Sequence, residues 1–290
     1  MRTDLPIVKD RLTALTGTLT PSEQVLADIL LKDYPVAGLQ SITRLAEAAS
    51  VSTPTVIRMA RKLGFDGFPA MQEALRVEAS EQIRRPATKR DAWLAGAPDE
   101  HILAQFAEAV TDNLRHTLDR LDSASFDAVA ALLADPKRPL YIVGGRITRS
   151  NADYLFNHMQ IIRPGVTHLS HSANVWPQYL LDIDDRAILI VFDIRRYESD
   201  LMKLATLAQE REATIVLFTD QWGSPIGKTA AHTFHAMVEA PSSWDSTLAI
   251  MLIVEALIAR AQAGREEASR DRLEELESMF STTRLFRDFS

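Results

Sequence analysis

Two apolar runs constrain this chain more than any other feature: AILIVF at 187–192 and TIVLFT at 214–219. Their cores do not alternate apolar with polar residues, as a strand with one wet face does. They read as strands covered on both faces, the pattern of a parallel sheet. LYIV (140–143), VTHL (166–169) and, less regularly, HTFHAMV (232–238) bring the set to five, with helical patterns between most of them. Two helices precede the first strand, HILAQFAEAVTDNLRHTLDRL and SASFDAVAALLAD. Two more close the chain, the apolar WDSTLAIMLIVEALIARAQ and the charged REEASRDRLEELESMF. The expectation for this part is a doubly wound α/β sandwich with a parallel five-stranded sheet.

The front of the chain reads differently. Residues 1–90 hold 13 Lys+Arg and 10 Asp+Glu, a net of +3; the remaining 19 Lys+Arg and 29 Asp+Glu give −10, which sums to the overall −7. A basic front on an acidic body suggests two units, the first meeting a polyanion. Polar, Pro-broken EQIRRPATKR and the LAGAPDE that follows read as a linker. We therefore expect a helical head over 1–80, a linker over 81–98 and the α/β unit over 99–290. The 290 residues contain no cysteine, which excludes disulfides and thiolate metal sites. There is no apolar run of membrane-spanning length and no apolar signal core near the N-terminus, so a cytoplasmic protein without a membrane partner is expected.

The head is helical throughout. LTPSEQVLADILLKDY carries a capping box, Thr20 with Glu23, and Pro21 in the first helical position; Val25, Leu26, Ile29 and Leu30 form its apolar face. SITRLAEAA places Ile42, Leu45, Ala46 and Ala49 on one stripe. After a short SVS turn, TPTVIRMARKLG begins with Thr53 as cap and Pro54 first, and stops at Gly64. On this third helix Val56, Met59, Ala60 and Leu63 share a stripe, while Thr55, Arg58 and Lys62 fall opposite, flanked by Arg61, with Ser52 and Thr53 at the exposed start. A short helix, a tight turn and a second helix with a basic, hydroxyl-rich outer face is the helix-turn-helix pattern. Such a face reaches base edges and phosphates, and the helix start itself favours phosphate. A solvated helix in an ordinary bundle would have the same spacing.

LTPSEQVLADILL, SITRLAEAASVSTPTVIRMARKLGFDGF and MQEAL together resemble the N-terminal domain of the RpiR/MurR family of bacterial transcriptional regulators. The contiguous stretch from Val51 to Phe68 is the distinctive part, within a match over about 5–80. The resemblance implies double-stranded operator DNA as a partner. It implies Ser52, Thr53, Thr55 and Arg58 as base or phosphate contacts, with Arg61 and Lys62 on the backbone. Asp66 stands where this family often has lysine, which removes one phosphate contact.

The resemblance also implies a sugar isomerase (SIS) domain behind the head. Such domains hold a sugar phosphate in small-residue loops beyond the strand ends. Here those loops are rewritten. Where G-x-G-x-S is usual, the chain has GGRIT: Gly144 and Thr148 keep their places and Arg146 replaces the second glycine. Where S-x-S-G-x-T is usual, it has FDIRRY: Ile194 replaces a serine, Arg195 the glycine and Tyr197 the threonine. Ser224 keeps the family's Ser-Pro. Arg146, Arg195 and Arg196 suit an anion, phosphate or carboxylate, gripped by guanidinium forks. The alternative is that they pair with Asp193, Glu198 or Asp200 and close a vacated pocket.

His168 and His171, and His232 and His235, are spaced for metal but lack a third ligand, so structural histidines are expected, with no metal and no cofactor. Asp245 or Ser246, with Ser243 as the alternative, fits the start of the apolar helix. Trp176 and Trp222 are expected to pack against loops, with flanking a ligand as the alternative for either. The leading functional reading is a non-enzymatic regulator, at least a dimer (a homodimer or homotetramer), whose α/β unit senses a small anionic metabolite. Two others compete: a sugar-phosphate isomerase, and a ligand-free dimerisation module on a DNA-binding head. The isomerase lacks both the serine loop and a carboxylate–histidine pair.

Overall fold

The computed structural model describes residues 7–32, 34–83 and 101–284, with side chains of the first unit described as far as residue 80. The chain divides into two compact units, residues 1–97 and 98–290. Most of the expected linker lies outside the described residues, although the last helix of the head runs on to Ile83.

The head has six α-helices among its described residues: α1 (Val8–Leu15), α2 (Pro21–Lys32), α3 (Val36–Leu39), α4 (Ile42–Ala48), α5 (Thr53–Lys62) and α6 (Phe68–Ile83). The capping box forms at the start of α2. The Thr20 amide donates to Glu23 Oε2 at 2.9 Å, and the Glu23 amide donates to Thr20 Oγ1 at 3.4 Å. The apolar face of α2 is narrower than its sequence suggests. Leu26, Ala27 and Leu30 are buried, but Val25 is 47% exposed. These residues meet Leu45, Ala46, Val56, Met59, Ala60, Met71 and Leu75 in one core.

The second unit opens with α7 (Ile102–Leu118) and α8 (Ser123–Ala134). There follow β1 (Leu140–Gly144), α9 (Arg149–Ile162), β2 (Val166–His168), α10 (Trp176–Leu180), β3 (Ile188–Phe192), α11 (Ser199–Gln209), β4 (Thr214–Asp220), β5 (His232–Ala236), α12 (Leu248–Ala263) and α13 (Glu266–Thr283). All four strand pairings are parallel, in the order β2-β1-β3-β4-β5. The five strands fall where the apolar runs place them.

Alternate residues of the central strands feed opposite faces. Leu140, Ile142, Ile188, Ile190, Phe192, Val216 and Phe218 pack under α8, α9 and α12. Tyr141, Val143, Leu189, Val191, Ile215 and Leu217 pack under α10 and α11. Every residue of β3 is fully buried, each large side chain contributing about 1.5–3 kcal/mol. Phe192, Phe218 and Phe234 stack across three neighbouring strands, with centroids 4.5 and 5.1 Å apart. The apolar α12 buries Ile250, Ile253, Val254, Leu257 and Ile258 within its own unit. Among the described residues no helix is long and apolar enough to cross a membrane.

Candidate functional site

The first candidate surface is the outer face of α5. Its cap is Ser52, one residue earlier than the sequence suggests, with Thr53 and Pro54 in the first turn. Ser52, Arg58 and Arg61 are exposed and Thr53 is half-buried. Thr55 is a correction. Helical spacing puts it on the outer face, yet it is only 6% exposed. Its Oγ1 sits 3.0 Å from Ser52 Oγ and accepts from Arg58 Nη2 at 3.1 Å. The hydroxyl is thus a brace that fixes the root of Arg58. Lys62 is also placed differently. Its Nζ donates to the Thr18 carbonyl at 2.7 Å and to Glu23 Oε2 at 2.9 Å, so it seals the start of α2. The Thr20 amide, and then Lys62, hold the Glu23 carboxyl below its usual range.

The second candidate is the carboxyl edge of the sheet. The order 2-1-3-4-5 reverses direction between β1 and β3, the place where a doubly wound sheet takes its ligands. Gly144 ends β1 under tight constraint: a Cβ there would lie 2.6 Å from the Thr148 carbonyl oxygen and 2.7 Å from the Arg149 nitrogen. Thr148 is buried. Its Oγ1 accepts from the Gly145 amide at 2.9 Å and donates to the Phe192 carbonyl at 2.7 Å, stitching the β1 loop to the end of β3. This hydroxyl, expected to hold a ligand, is spent on the loop. Arg146 is exposed, and its backbone amide donates to Glu198 Oε1 at 2.6 Å.

The arginine pair splits. Arg195 has a side chain only 8% exposed; its Nε donates to Asp245 Oδ2 at 2.6 Å, and Nη2 lies 3.8 Å from Glu239 Oε1. The guanidinium lies over the Trp222 ring, 4.2 Å from its centroid. Both of these partners are acids beyond β5 rather than the neighbouring acids that the sequence suggests. Asp245 is therefore not a helix cap: α12 begins after Thr247, with no side-chain cap bond. Arg196 is exposed, with φ of 68°, so the left-handed turn of this loop falls on it.

Two buried carboxylates, which the sequence reading did not single out as site residues, organise the rest. Asp220 ends β4 and is fully buried. It accepts from the Arg195 amide at 2.6 Å, the Tyr197 hydroxyl at 2.8 Å, and the Trp222 and Gly223 amides at 3.1 Å each. Burial raises its pKa, and raises that of Tyr197 with it. Asp193 follows β3. It accepts from Ser224 Oγ at 2.5 Å and the Glu198 amide at 3.2 Å, and burial pushes its pKa up to about 6. Tyr197 and Ser224 thus point their hydroxyls at internal carboxylates. An acid directly after an apolar strand, as in VFD and LFTD, was the available signal. The edge is consequently a network of carboxylates around one buried guanidinium, with Arg146 and Arg196 outside it.

One histidine of each spaced pair is engaged locally. His168 Nδ1 lies 2.8 Å from Asp153 Oδ1, and burial lowers its pKa; His235 Nδ1 lies 3.0 Å from the Asp220 carbonyl oxygen. Among the described residues no three potential metal ligands cluster. Trp176 is buried and donates to the Ser170 carbonyl at 2.8 Å.

Comparison with known proteins fits this geometry. Residues 8–82 match the helix-turn-helix domain of the rpiR family, and residues 132–260 match the SIS domain. The transcriptional regulator HexR of Escherichia coli is 23% identical, over 92% of this chain and 91% of its own. The Escherichia coli regulator RpiR is 25% identical, over 73% of this chain and 70% of its own. Among solved structures, Vibrio vulnificus NanR, complexed with ManNAc-6P, superposes with a TM-score of 0.56 at 18% identity, covering 97% of this chain and all of that one. The sugar isomerase domain of an RpiR transcription factor from Sphaerobacter thermophilus gives 0.56 at 20% identity, covering 61% of this chain and 97% of that one. At these identities the structural matches establish the fold.

Proposed function

This chain belongs to the RpiR family of helix-turn-helix transcriptional regulators, a regulator rather than an enzyme, and from that premise we propose how it acts. The head reads a double-stranded operator with the outer face of α5: Arg58 reads bases, Ser52 and Thr53 meet the backbone at the helix start, and Arg61 contacts phosphate. The observation that carries this reading is the Ser52–Thr55–Arg58 chain of hydroxyl and guanidinium contacts. It preorganises an exposed arginine on the helix that follows the turn, where such side chains reach base edges.

The SIS unit responds to a small anionic metabolite at the β1–β3 crevice. A sugar phosphate is supported by the fold shared with NanR, whose structure holds ManNAc-6P. A carboxylate is supported by the carboxylate already hydrogen-bonded to the Arg146 amide. The protein works in the cytoplasm as a homodimer or homotetramer, because paired half-sites about 34 Å apart call for two heads. The test selects operator fragments from random DNA and measures their release by anisotropy against a panel of sugar phosphates and small carboxylates. Sequence-selective binding with release by one member supports the proposal; DNA binding without sequence preference sinks it.

One observation favours a second reading, a ligand-free dimerisation unit. Arg195, placed to meet an anion, is already neutralised by Asp245. Under that reading no member of the panel raises the melting temperature, whereas a bound effector stabilises the native state by mass action.

A further inference from the structure

We infer that Glu198 is a built-in competitor for the effector, a tethered carboxylate occupying the anion position of the first loop. The inference rests on the anion-effector reading above. The crevice between β1 and β3 is where a doubly wound sheet takes its ligand. The nearest elements there are the Gly144–Thr148 loop and the start of α9, a helix of 14 residues whose first amides favour negative charge. Glu198 sits against that loop. Its Oε1 accepts from the Arg146 amide at 2.6 Å, a charge-assisted contact of the kind a ligand oxygen would make.

The fit is reciprocal. A Cβ on residue 145 would lie 2.6 Å from Glu198 Oε1 and 3.0 Å from its carboxyl carbon. Gly145 therefore makes the room that the carboxylate fills. Gly145 is not one of the two glycines of the family pattern, which fall at 144 and 146; a side chain there would have to displace the Glu198 carboxylate. The carboxylate is held at one end only. Its backbone is anchored by the Glu198 amide on Asp193, while the residue as a whole is exposed. It can swing out without opening the core.

A second observation concerns a side chain in the first turn of α9. Asn151, in the first turn, is fully buried, and neither its side-chain oxygen nor its nitrogen has a hydrogen-bond partner. Buried polar atoms in that condition are costly. Arg146, whose backbone amide holds the carboxylate, and Arg196, two residues before Glu198 in the chain, are both exposed and add two cationic side chains to these loops. Glu198 thus sets a threshold: a multiply charged anion displaces it, whereas a weakly charged metabolite does not.

The experiment is calorimetric titration of the full chain with inorganic phosphate and with glucose 6-phosphate, using the native protein, Glu198→Ala and Glu198→Gln. Urea midpoints check that each variant folds. Removing the competitor should tighten phosphate binding at least tenfold in Glu198→Ala. Glu198→Gln keeps the shape and the amide contact but loses the charge, and should fall between. Equal affinity in native protein and Glu198→Ala overturns the competitor and leaves the effector reading standing. No binding by any of the three proteins also overturns it; the operator-release assay then decides separately whether an anionic effector acts elsewhere.

Discussion

Arg195 Nε donates to Asp245 Oδ2 at 2.6 Å, joining the end of β3 to the segment before α12 across 50 residues of chain. Both side chains are nearly buried, so the pair was desolvated at considerable cost, and removing one partner strands the other. Arg195→Ala and Asp245→Ala should each destabilise the protein by about 3 kcal/mol, and the double variant should lose no more than either. Urea denaturation of the four proteins tests this. Additive losses would show that the two residues do not act as a pair.

Thr55 and Arg58 separate fold from recognition on α5. Arg58→Ala should cost about 1–3 kcal/mol of operator affinity and relax sequence preference. Thr55→Val keeps the buried volume and removes the hydroxyl that accepts from Arg58 Nη2. It should weaken operator binding in the same direction by a smaller amount, with binding to random DNA nearly unchanged. A gel-shift titration in which Arg58→Ala binds its operator as tightly as native protein would show that α5 reads with another face.

The fold was legible because its signals are local. Uninterrupted Ile188–Phe192 declares a strand buried on both faces, and Thr20 with Glu23 declares a helix start, without knowledge of anything distant. The site was less legible because its contacts are not local. Arg195 has acids on both sides of it in sequence, at 193, 198 and 200, yet its guanidinium bonds Asp245, 50 residues on. The fold carries Asp245, Glu239 and Trp222 to it from β4 and beyond. Thr55 misled for a related reason. Helical angle places it off the apolar stripe, but the hydroxyl of Ser52 and the guanidinium of Arg58 enclose it. Loop resemblance pointed to ligand-facing hydroxyls, yet Thr148, Tyr197 and Ser224 turn theirs inward to Phe192, Asp220 and Asp193.

Lys62 gives a prediction about acid stability. It bonds Glu23, whose carboxyl is held below its ordinary pKa of 4.5 by the Thr20 amide first and Lys62 second. A depressed carboxyl stabilises the fold while ionised, above the unfolded value, and that contribution is lost as pH falls through the folded one. Lys62→Ala should lower head stability at pH 7 by up to about 1 kcal/mol, the scale of a partly exposed ion pair. The deficit should shrink below about pH 4. Thermal melts of residues 1–83 at pH 7 and pH 3.5 check it, provided the fragment folds; the full chain serves otherwise. An equal deficit at both values would show that Lys62 acts through packing rather than through Glu23.

Asp193 reverses that sign. Burial pushes its pKa up to about 6, against 3.8 for an ordinary aspartate. Between those values the native protein holds a proton that the unfolded chain has released. Unfolding stability therefore falls as pH rises through that window, by at most roughly 1.4 kcal/mol per pH unit from this group. Above pH 6 the native state carries a buried charge between Ser224 and the Glu198 amide. Asp193→Asn removes the charge while its side chain can still accept from the Glu198 amide and donate to Ser224 Oγ. It should be more stable than native protein at pH 8 and no more stable at pH 4. Urea titrations at those two values measure the difference. A variant less stable at pH 8 would mean that the ionised carboxylate is the form the network is built around, and that the loops after β3 and β4 are held by its charge.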